Sequence, residues 1–292
     1  MDTPSLKQAG AALHRLHAAL RKPEVPSGYS RVGMAASAHF FDRHRFRVPV
    51  SCTREGKNAR SLHHILTDST MVKRLRKRAE SIGRPLTAAG LRVVVSGRYG
   101  RACQFPPYVA GKLLTSVDAR HVLDPFAGWG DRLLAAAASP GVLSYHGIDC
   151  NRSMQKSYNA MEAFLRASKL TDMKCTMTFG PAESMDYSMI TYDTVLTCPP
   201  YWRKEQYHMM PAHATEAEFM QAVMHVTMLK VYRHLRPDGH MLVVMPIDMG
   251  VSLFEELNMQ YEMQAMPQAG SKCVFTGKPP RTAREVIFHV SK

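Results

Sequence analysis

From about residue 110 onward the chain keeps one rhythm: a short apolar run, a turn, then an amphipathic stretch. HVLD (121–124), SYHGID (144–149), KCTMTF (174–179), YDTVLT (192–197) and EVIFHV (285–290) read as strands, and PDGHMLVVMP (237–246) as a turn running into another. DRLLAAAA (131–138) reads as a helix start, SMQKSYNAMEAFLRA (153–167) as a helix, and EAEFMQAVMHVTMLKVYRHL (216–235) as a long helix with apolar residues at three- and four-residue steps. Strands alternating with helices predict an α/β fold, a mostly parallel sheet covered by helices on both faces. Sheets of this kind bind ligands at the carboxyl ends of their strands. With 292 residues and 45% apolar content, the chain has material for one large domain and a smaller appendage.

The first third differs in composition. Residues 1–110 contain 20 Lys/Arg against 6 Asp/Glu, whereas residues 111–292 contain 18 of each, so all of the +14 formal charge lies before residue 111. Such asymmetry points to a polyanionic partner, nucleic acid above all; a solubilising arm is the plainer alternative. FFDRHRFRVPV (40–50) interleaves Phe40, Phe41 and Phe46 with Arg43, Arg45 and Arg47. SLHHILTDSTMVKRLRKRAESIG (61–83) predicts a basic helix carrying Lys73, Arg74, Arg76, Lys77 and Arg78. Phosphates take the charge and bases stack on the rings of such a surface. Leu6, Leu13, Leu16 and Leu20 stand at helical spacing in the first 23 residues, which hold one acid. An amphipathic helix is expected there rather than an organelle transit peptide, because no cleavage site is visible and serines are few.

Six scattered cysteines without a CxxC pair predict reduced thiols in an intracellular compartment, cytoplasm or nucleus, with organelle targeting left open. The fourteen histidines form no ligand set, so no metal is expected, and no apolar stretch is long enough to predict a membrane span.

Two short segments carry the chemistry. DPFAGWG (124–130) ends the first predicted strand and opens a helix; glycines there let backbone approach a ligand, and a helix start offers unpaired N–H groups. Asp149 ends the next predicted strand, where an acid can accept both hydroxyls of a ribose. Later, TCPPYW (197–202) follows an apolar run. Two prolines lack N–H donors and fix φ, so this segment must be a stiff loop holding Tyr201 and Trp202 at a strand end.

DPFAGWG followed by CPPYW resembles the paired motifs of S-adenosylmethionine-dependent amino-methyltransferases that act on nucleic-acid bases. FPPYVAGKLL (105–114), GIDCNRSM, FGPAES (179–184) and HLRPDGHMLVV are similar to further segments of that family, in order, over roughly residues 105–250. The resemblance implies a Rossmann-like class I methyltransferase fold in residues 105–292; the charge asymmetry makes residues 1–104 a basic extension expected to bind nucleic acid. The resemblance also implies S-adenosylmethionine as cofactor, with Phe105, Asp124, Phe126, Gly128, Gly130 and Asp149 contacting or shaping its site and Glu183 at the adenine end. It makes Cys198, Pro199, Pro200 and Tyr201 the catalytic loop. Tyr201 and Trp202 then face the base, and Arg203, Lys204, Arg43, Arg45, Lys73, Arg74 and Lys77 face the polynucleotide.

An exocyclic amine is a poor nucleophile because its lone pair is delocalised into the ring. Catalysis therefore consists of accepting its N–H groups and pointing the nitrogen at the methyl. In the family the residue before the prolines supplies one acceptor, the first proline's carbonyl another, and the following aromatic stacks on a base flipped from the duplex. Here Cys198 stands first, and a neutral thiol is a weak acceptor. Losing one such contact costs about 2–4 kcal/mol of barrier by analogy with an oxyanion donor. Three readings stay open: catalysis through Pro199, Tyr201 and proximity, aided by a partial thiolate near Arg203 and Lys204; a catalytically weak or inactive subunit that binds nucleic acid or scaffolds a partner; or attack by Cys198 on a cytosine ring. DNA adenine N6 is the first expected target, DNA cytosine N4 the next, and an RNA base the alternative. Only a short stretch separates Trp202 from the long helix, so site recognition falls to the basic third, a partner subunit or a second copy.

Overall fold

The computed structural model describes residues 3–23, 31–50, 59–84, 86–87, 94–95, 102–202, 213, 215–266 and 285–292. Contacts divide the chain into two units, one of Pro4–Phe40, Phe105–Pro199 and Ala212–Lys292, the other of Met1–Thr3, Phe41–Gln104 and Pro200–Pro211. The sequence reading drew a single boundary after residue 104; the contacts instead group Pro4–Phe40 with the sheet.

In the larger unit seven strands form one sheet: β3 (His121–Asp124), β4 (Ser144–Asp149), β5 (Lys174–Phe179), β6 (Thr194–Thr197), β7 (His240–Pro246), β8 (Glu262–Ala265) and β9 (Glu285–Ser291). Their spatial order is β5-β4-β3-β6-β7-β9-β8. The first five run parallel, and β9 pairs antiparallel with both β7 and β8. The chain moves outward from β3 through β4 to β5 and then returns to β3's other side as β6. That reversal makes the carboxyl ends of β3 and β6 the topological switch point of the sheet, the place where open α/β sheets bind ligands. This is the mostly parallel α/β sheet expected from the alternation, and the Rossmann-like fold that the resemblance implies. Central strands are buried on both faces, so HVLD and TVLT read as continuous apolar runs.

Helix α1 (Leu6–Leu20) starts with a capping box between Ser5 and Gln8 and buries Leu13, Leu16 and Leu20, while Leu6 stays exposed. It packs on α5 (Pro107–Ser116) and α6 (Asp131–Ala138). Gly111 of α5 is the point of closest approach: a Cβ there would sit 2.4 Å from Leu20 Cδ1. Arg21 Nη1 fastens the end of α1 to the Ala138 carbonyl at 2.9 Å. The amphipathic helix expected for the first 23 residues is therefore an integral layer of the sheet unit. Helix α7 (Gln155–Ser168) follows a 3-10 turn at Arg152–Met154. Helix α8 comprises Glu216–Phe219, a π turn at Met220–His225 and Val226–His234; α9 (Ile247–Glu256) follows β7.

The smaller unit holds α3 (Leu62–Thr67), α4 (Ser69–Ser81) and a two-stranded ribbon of β1 (Pro49–Val50) and β2 (Arg60–Ser61). Its core gathers Phe46, Leu62, Ile65, Met71, Leu75, Ala79, Val94 and Val95. The single basic helix expected over 61–83 is two helices. Asp68 leaves helical geometry at ψ 114° and its carboxylate accepts from Met71 N at 2.9 Å, so it ends α3 and caps α4. Helix α2 (Met34–Arg45) was not foreseen; it absorbs most of the stretch read as an aromatic and basic interleave. Among the described residues no helix is long and apolar enough to cross a membrane, and no three His, Cys, Asp or Glu cluster as metal ligands.

Candidate functional site

The glycine loop is built around the carboxylate of Asp124, which is wholly buried. Its Oδ2 accepts from Arg132 Nε at 2.7 Å and Tyr145 OH at 2.9 Å. Its Oδ1 accepts from Thr197 Oγ1 at 2.8 Å, Phe126 N at 3.3 Å and Arg132 Nη2 at 3.3 Å. Wholly buried and accepting five hydrogen bonds from four residues, Asp124 is positioned to shape the loop. Arg132 Nη2 also donates to the Phe126 carbonyl, which holds the turn closed from the other side. Burial alone would lower the Arg132 pKa, but Asp124 outweighs it and holds the guanidinium charged. Burial, with Asp124 beside it, holds the Tyr145 phenol well above its usual range.

The loop then turns through Gly128 and Gly130, at φ 62° and 68°. Left-handed backbone at both positions is the reason for the Gly-x-Gly spacing. A Cβ on Gly128 would meet nothing closer than the Phe126 carbonyl at 3.7 Å, so that position borders room. Its N–H donates to Asp149 Oδ2 at 2.9 Å, and its carbonyl accepts from Tyr158 OH at 2.7 Å. Asn151 N donates to Asp149 Oδ1 at 2.8 Å, and Ala127 N to the Ile148 carbonyl at 2.8 Å. The glycine loop and the end of β4 are thus sewn together edge to edge.

Asp149 is the group here with capacity left for a ligand. Each carboxylate oxygen accepts one backbone N–H, and an ionised carboxylate has further lone pairs. Burial pushes its carboxyl up to about 6; the hydrogen bonds from Asn151 and Gly128 pull the other way without cancelling the effect. At neutral pH it is an under-solvated anion that two hydroxyl donors would suit. These residues fit a ribose-bearing cofactor of the kind the resemblance implies: an acid for the diol, a left-handed glycine for close approach, and a helix start without a side-chain cap.

Phe105 is buried against the guanidinium of Arg132, with Cζ 5.4 Å from the ring centroid, and its N–H donates to Asp131 Oδ2 at 3.2 Å. Ser37 of α2 donates to the other oxygen of Asp131. Glu183 lies in the 3-10 turn Ala182–Ser184, half-buried, and its carbonyl accepts from Lys230 Nζ of α8 at 2.6 Å. The end of β6 brings Thr197 and Cys198 to the same edge as Asp124, with Pro199 buried and Cys198 half-buried. Pro200, Tyr201 and Trp202 continue the chain and belong to the smaller unit, each partly buried. Arg203 and Lys204 lie outside the described residues.

On the smaller unit Lys73, Arg74, Arg76, Lys77 and Arg78 are all exposed, opposite the buried stripe of Met71, Leu75 and Ala79. Arg43 is exposed as well. Arg45 is not: it is buried, paired with Asp42 through Nε at 3.1 Å and donating to the Ala102 carbonyl at 3.1 Å. A guanidinium buried in this way does not lie on the surface where a phosphate would meet it. Phe40, Phe41 and Phe46 are likewise buried and present no stacking platform.

Arg132, Tyr145, Tyr158, Thr197 and Asp131 were not singled out from the sequence. The available signal was the charged pair Asp131-Arg132 opening an otherwise Leu/Ala helix, a costly placement unless both side chains have buried partners.

No family model matches the chain, and no curated protein sequence matches it significantly. Among solved structures it is similar to a Clostridium acetobutylicum S-adenosylmethionine-dependent methyltransferase, at 7% identity and TM-score 0.46, over 70% of this chain and 98% of that one. It is similar also to a Streptococcus thermophilus rRNA methylase, at 11% identity and TM-score 0.40, over 65% and 97%. A third is a Methanobacterium thermoautotrophicum precorrin 8W decarboxylase, at 12% identity and TM-score 0.42, over 65% and 92%. The chemistry differs among the three, and at this distance no residue role passes from them to this chain.

Proposed function

We propose that the chain transfers a methyl group from S-adenosylmethionine to the exocyclic amine of a nucleic-acid base, adenine N6 in DNA first. The observation that carries this reading is the meeting, at the carboxyl ends of β3, β4 and β6, of a glycine loop, a ribose-type acid and the start of a Pro-Pro-aromatic loop. The Thr197–Asp124 hydrogen bond of 2.8 Å ties the last of these to the first. When bound, the cofactor supplies an electrophilic methyl on a positively charged sulfur.

The chain's own residues then have separable tasks. Asp149 accepts the two ribose hydroxyls, and the left-handed backbone at Gly128 admits the cofactor closely. The Pro199 carbonyl, held between two rings, accepts an amine N–H. Tyr201 stacks on the base, with Trp202 beside it, and Pro200 keeps the turn stiff. Lys73, Arg74 and Lys77 on the exposed face of α4, with Arg43, hold phosphates, which makes the basic extension the polynucleotide-binding part.

The thiol of Cys198 favours a second reading, a catalytically weak subunit that binds nucleic acid without turnover. One experiment separates them. Cofactor binding is measured by calorimetry, and labelled cofactor is then incubated with DNA and with RNA, followed by nucleoside mass spectrometry. N6-methyladenine formed on DNA supports the proposal, and methyl on an RNA base moves it to the RNA alternative. Cofactor binding without transfer, together with a gain of activity in Cys198→Asp, supports the second reading. No cofactor binding at all sinks the methyl-transfer reading.

A further inference from the structure

The ladder between β3 and β6 is short: it pairs Val122 with Thr194 and Leu123 with Val195, and stops there. Among the described residues the β3–β6 ladder does not extend to Asp124 or Thr197. A side-chain bond takes over. Thr197, wholly buried and immediately before Cys198, donates its hydroxyl to Asp124 Oδ1 at 2.8 Å. Asp124 is held in turn by both Arg132 bonds and by Tyr145, and Arg132 carries the Phe126 carbonyl and the Phe105 ring.

We propose that Thr197 and Arg132 are positioning residues that set the register of the target loop against the cofactor loop. Thr197 acts on the target loop alone, and Arg132 acts on both. The kinetic part of this inference rests on the methyl-transfer reading above. The physical reason is the sensitivity of an in-line transfer to geometry: a displacement of about 1 Å between acceptor and donor can cost about 100-fold in rate. The threonine hydroxyl ties the end of β6 to the carboxylate that ends β3, two residues before Pro199. Slack at Thr197 is therefore passed on toward the Pro199 carbonyl. Arg132 is placed differently. It touches the turn through Phe126, the ring of Phe105 and the carboxylate that anchors Thr197, so its removal loosens both halves at once.

The test uses the full chain and the variants Thr197→Val, Thr197→Ser, Arg132→Lys and Arg132→Met. Thr197→Val keeps shape and removes one hydroxyl. It is expected to lower kcat by about 10- to 100-fold while the cofactor Kd stays within about twofold. Thr197→Ser restores the donor and should return kcat to within about threefold of wild type. Arg132→Met should weaken cofactor binding and turnover together, and Arg132→Lys, which keeps charge but loses the fork, should do the same to a lesser degree. A merely structural role for Thr197 would move cofactor affinity and kcat in parallel, so that pattern overturns the inference, as does a Thr197→Val enzyme with unchanged kcat.

A second readout needs no turnover. Alkylation of Cys198 by iodoacetamide, followed by peptide mass spectrometry, is expected to quicken by about fivefold in Thr197→Val and to return in Thr197→Ser, since an unpinned loop opens more often. Equal alkylation rates in all three proteins overturn the inference even if the chain never methylates anything. Failure of the methyl-transfer reading instead shows in wild type, as cofactor binding without product.

Discussion

Asp124 and Asp149 end adjacent parallel strands, with Asp124 in register with Gly147 of β4, yet their carboxylates are used in different ways. Asp124 is wholly buried, faces a guanidinium, and accepts from four residues. Asp149 has two backbone amides and no salt-bridge partner among the described residues, and burial raises its carboxyl to about 6. The first is a closed structural joint. The second is an anion whose needs the protein meets only in part, and that shortfall is what a hydroxyl-bearing ligand can supply. Strand-end aspartates in such a sheet are therefore told apart by who donates to them, a property that their positions in the sequence do not reveal.

The sharpest way to break this contrast is to neutralise each acid in turn. Asp124→Asn keeps the volume but leaves Arg132 buried without its counter-ion. Losing one partner of a buried pair costs about 3–5 kcal/mol, so a large fall in the urea midpoint of unfolding is expected. A midpoint equal to wild type would show that Arg132 finds another anion. Asp149→Asn should do the reverse. Its unfolding midpoint at pH 7 is expected to be at least that of wild type within about 1 kcal/mol, because an under-solvated charge has gone along with one hydrogen bond. The thermal shift that wild type gains from S-adenosylmethionine should vanish in this variant. If Asp149→Asn unfolds easily and still binds cofactor, the two acids have been assigned the wrong way round.

pH sharpens the same comparison. The Asp149 carboxyl is raised from 3.8 to about 6, so between those values the folded chain holds a proton that the unfolded chain has released. Its contribution to stability is fully present below about pH 4 and is lost as pH rises through 6; the charged form costs the fold roughly 3 kcal/mol at neutral pH. Cofactor affinity should run oppositely. The ionised carboxylate is the better acceptor for hydroxyls, so affinity is expected to fall as pH drops below about 6, by up to about tenfold per unit. Calorimetric titrations of wild type from pH 5 to 8 check this, and a constant affinity over that range would remove Asp149 from the ribose.

Much of the scaffold is legible in the sequence because buried parallel strands are short apolar runs bounded by turns. HVLD, SYHGID and KCTMTF coincide with β3, β4 and β5. YDTVLT overshoots β6 by two residues: Tyr192 OH donates to the Val231 carbonyl, and the Asp193 carboxylate accepts from the backbone of Arg120 and His121 while its own backbone still bonds to His121 and His240. The basic stretch 61–83 reads as one helix until Asp68 is seen to cap a second. The aromatic and basic residues of 40–50 look like a groove lining, yet helix α2 turns Phe40 and Phe41 inward and Arg45 toward Asp42. At the site, Gly128, Gly130 and Asp149 are legible because their roles rest on local backbone and strand ends. The joint made by Asp124, Arg132, Tyr145 and Thr197 is not, since its members are up to 73 residues apart and only the sheet order brings them together.

The smallest expected effect isolates close approach from everything else. Gly128→Ala retains the N–H that binds Asp149 and changes only φ preference and one methyl. At φ 62° an L-residue is strained by roughly 1–2 kcal/mol, so a melting temperature lower by about 2–6 °C is expected for a chain of this size. The new methyl meets only ordinary contacts, the nearest at 3.7 Å, so no clash adds to that figure. Any loss of S-adenosylmethionine affinity beyond the stability change then reports a ligand pressed against this position. An alanine variant that is slightly less stable and binds as tightly as wild type would move the cofactor away from Gly128, leaving Asp149 as an acid that borders the site without its glycine partner.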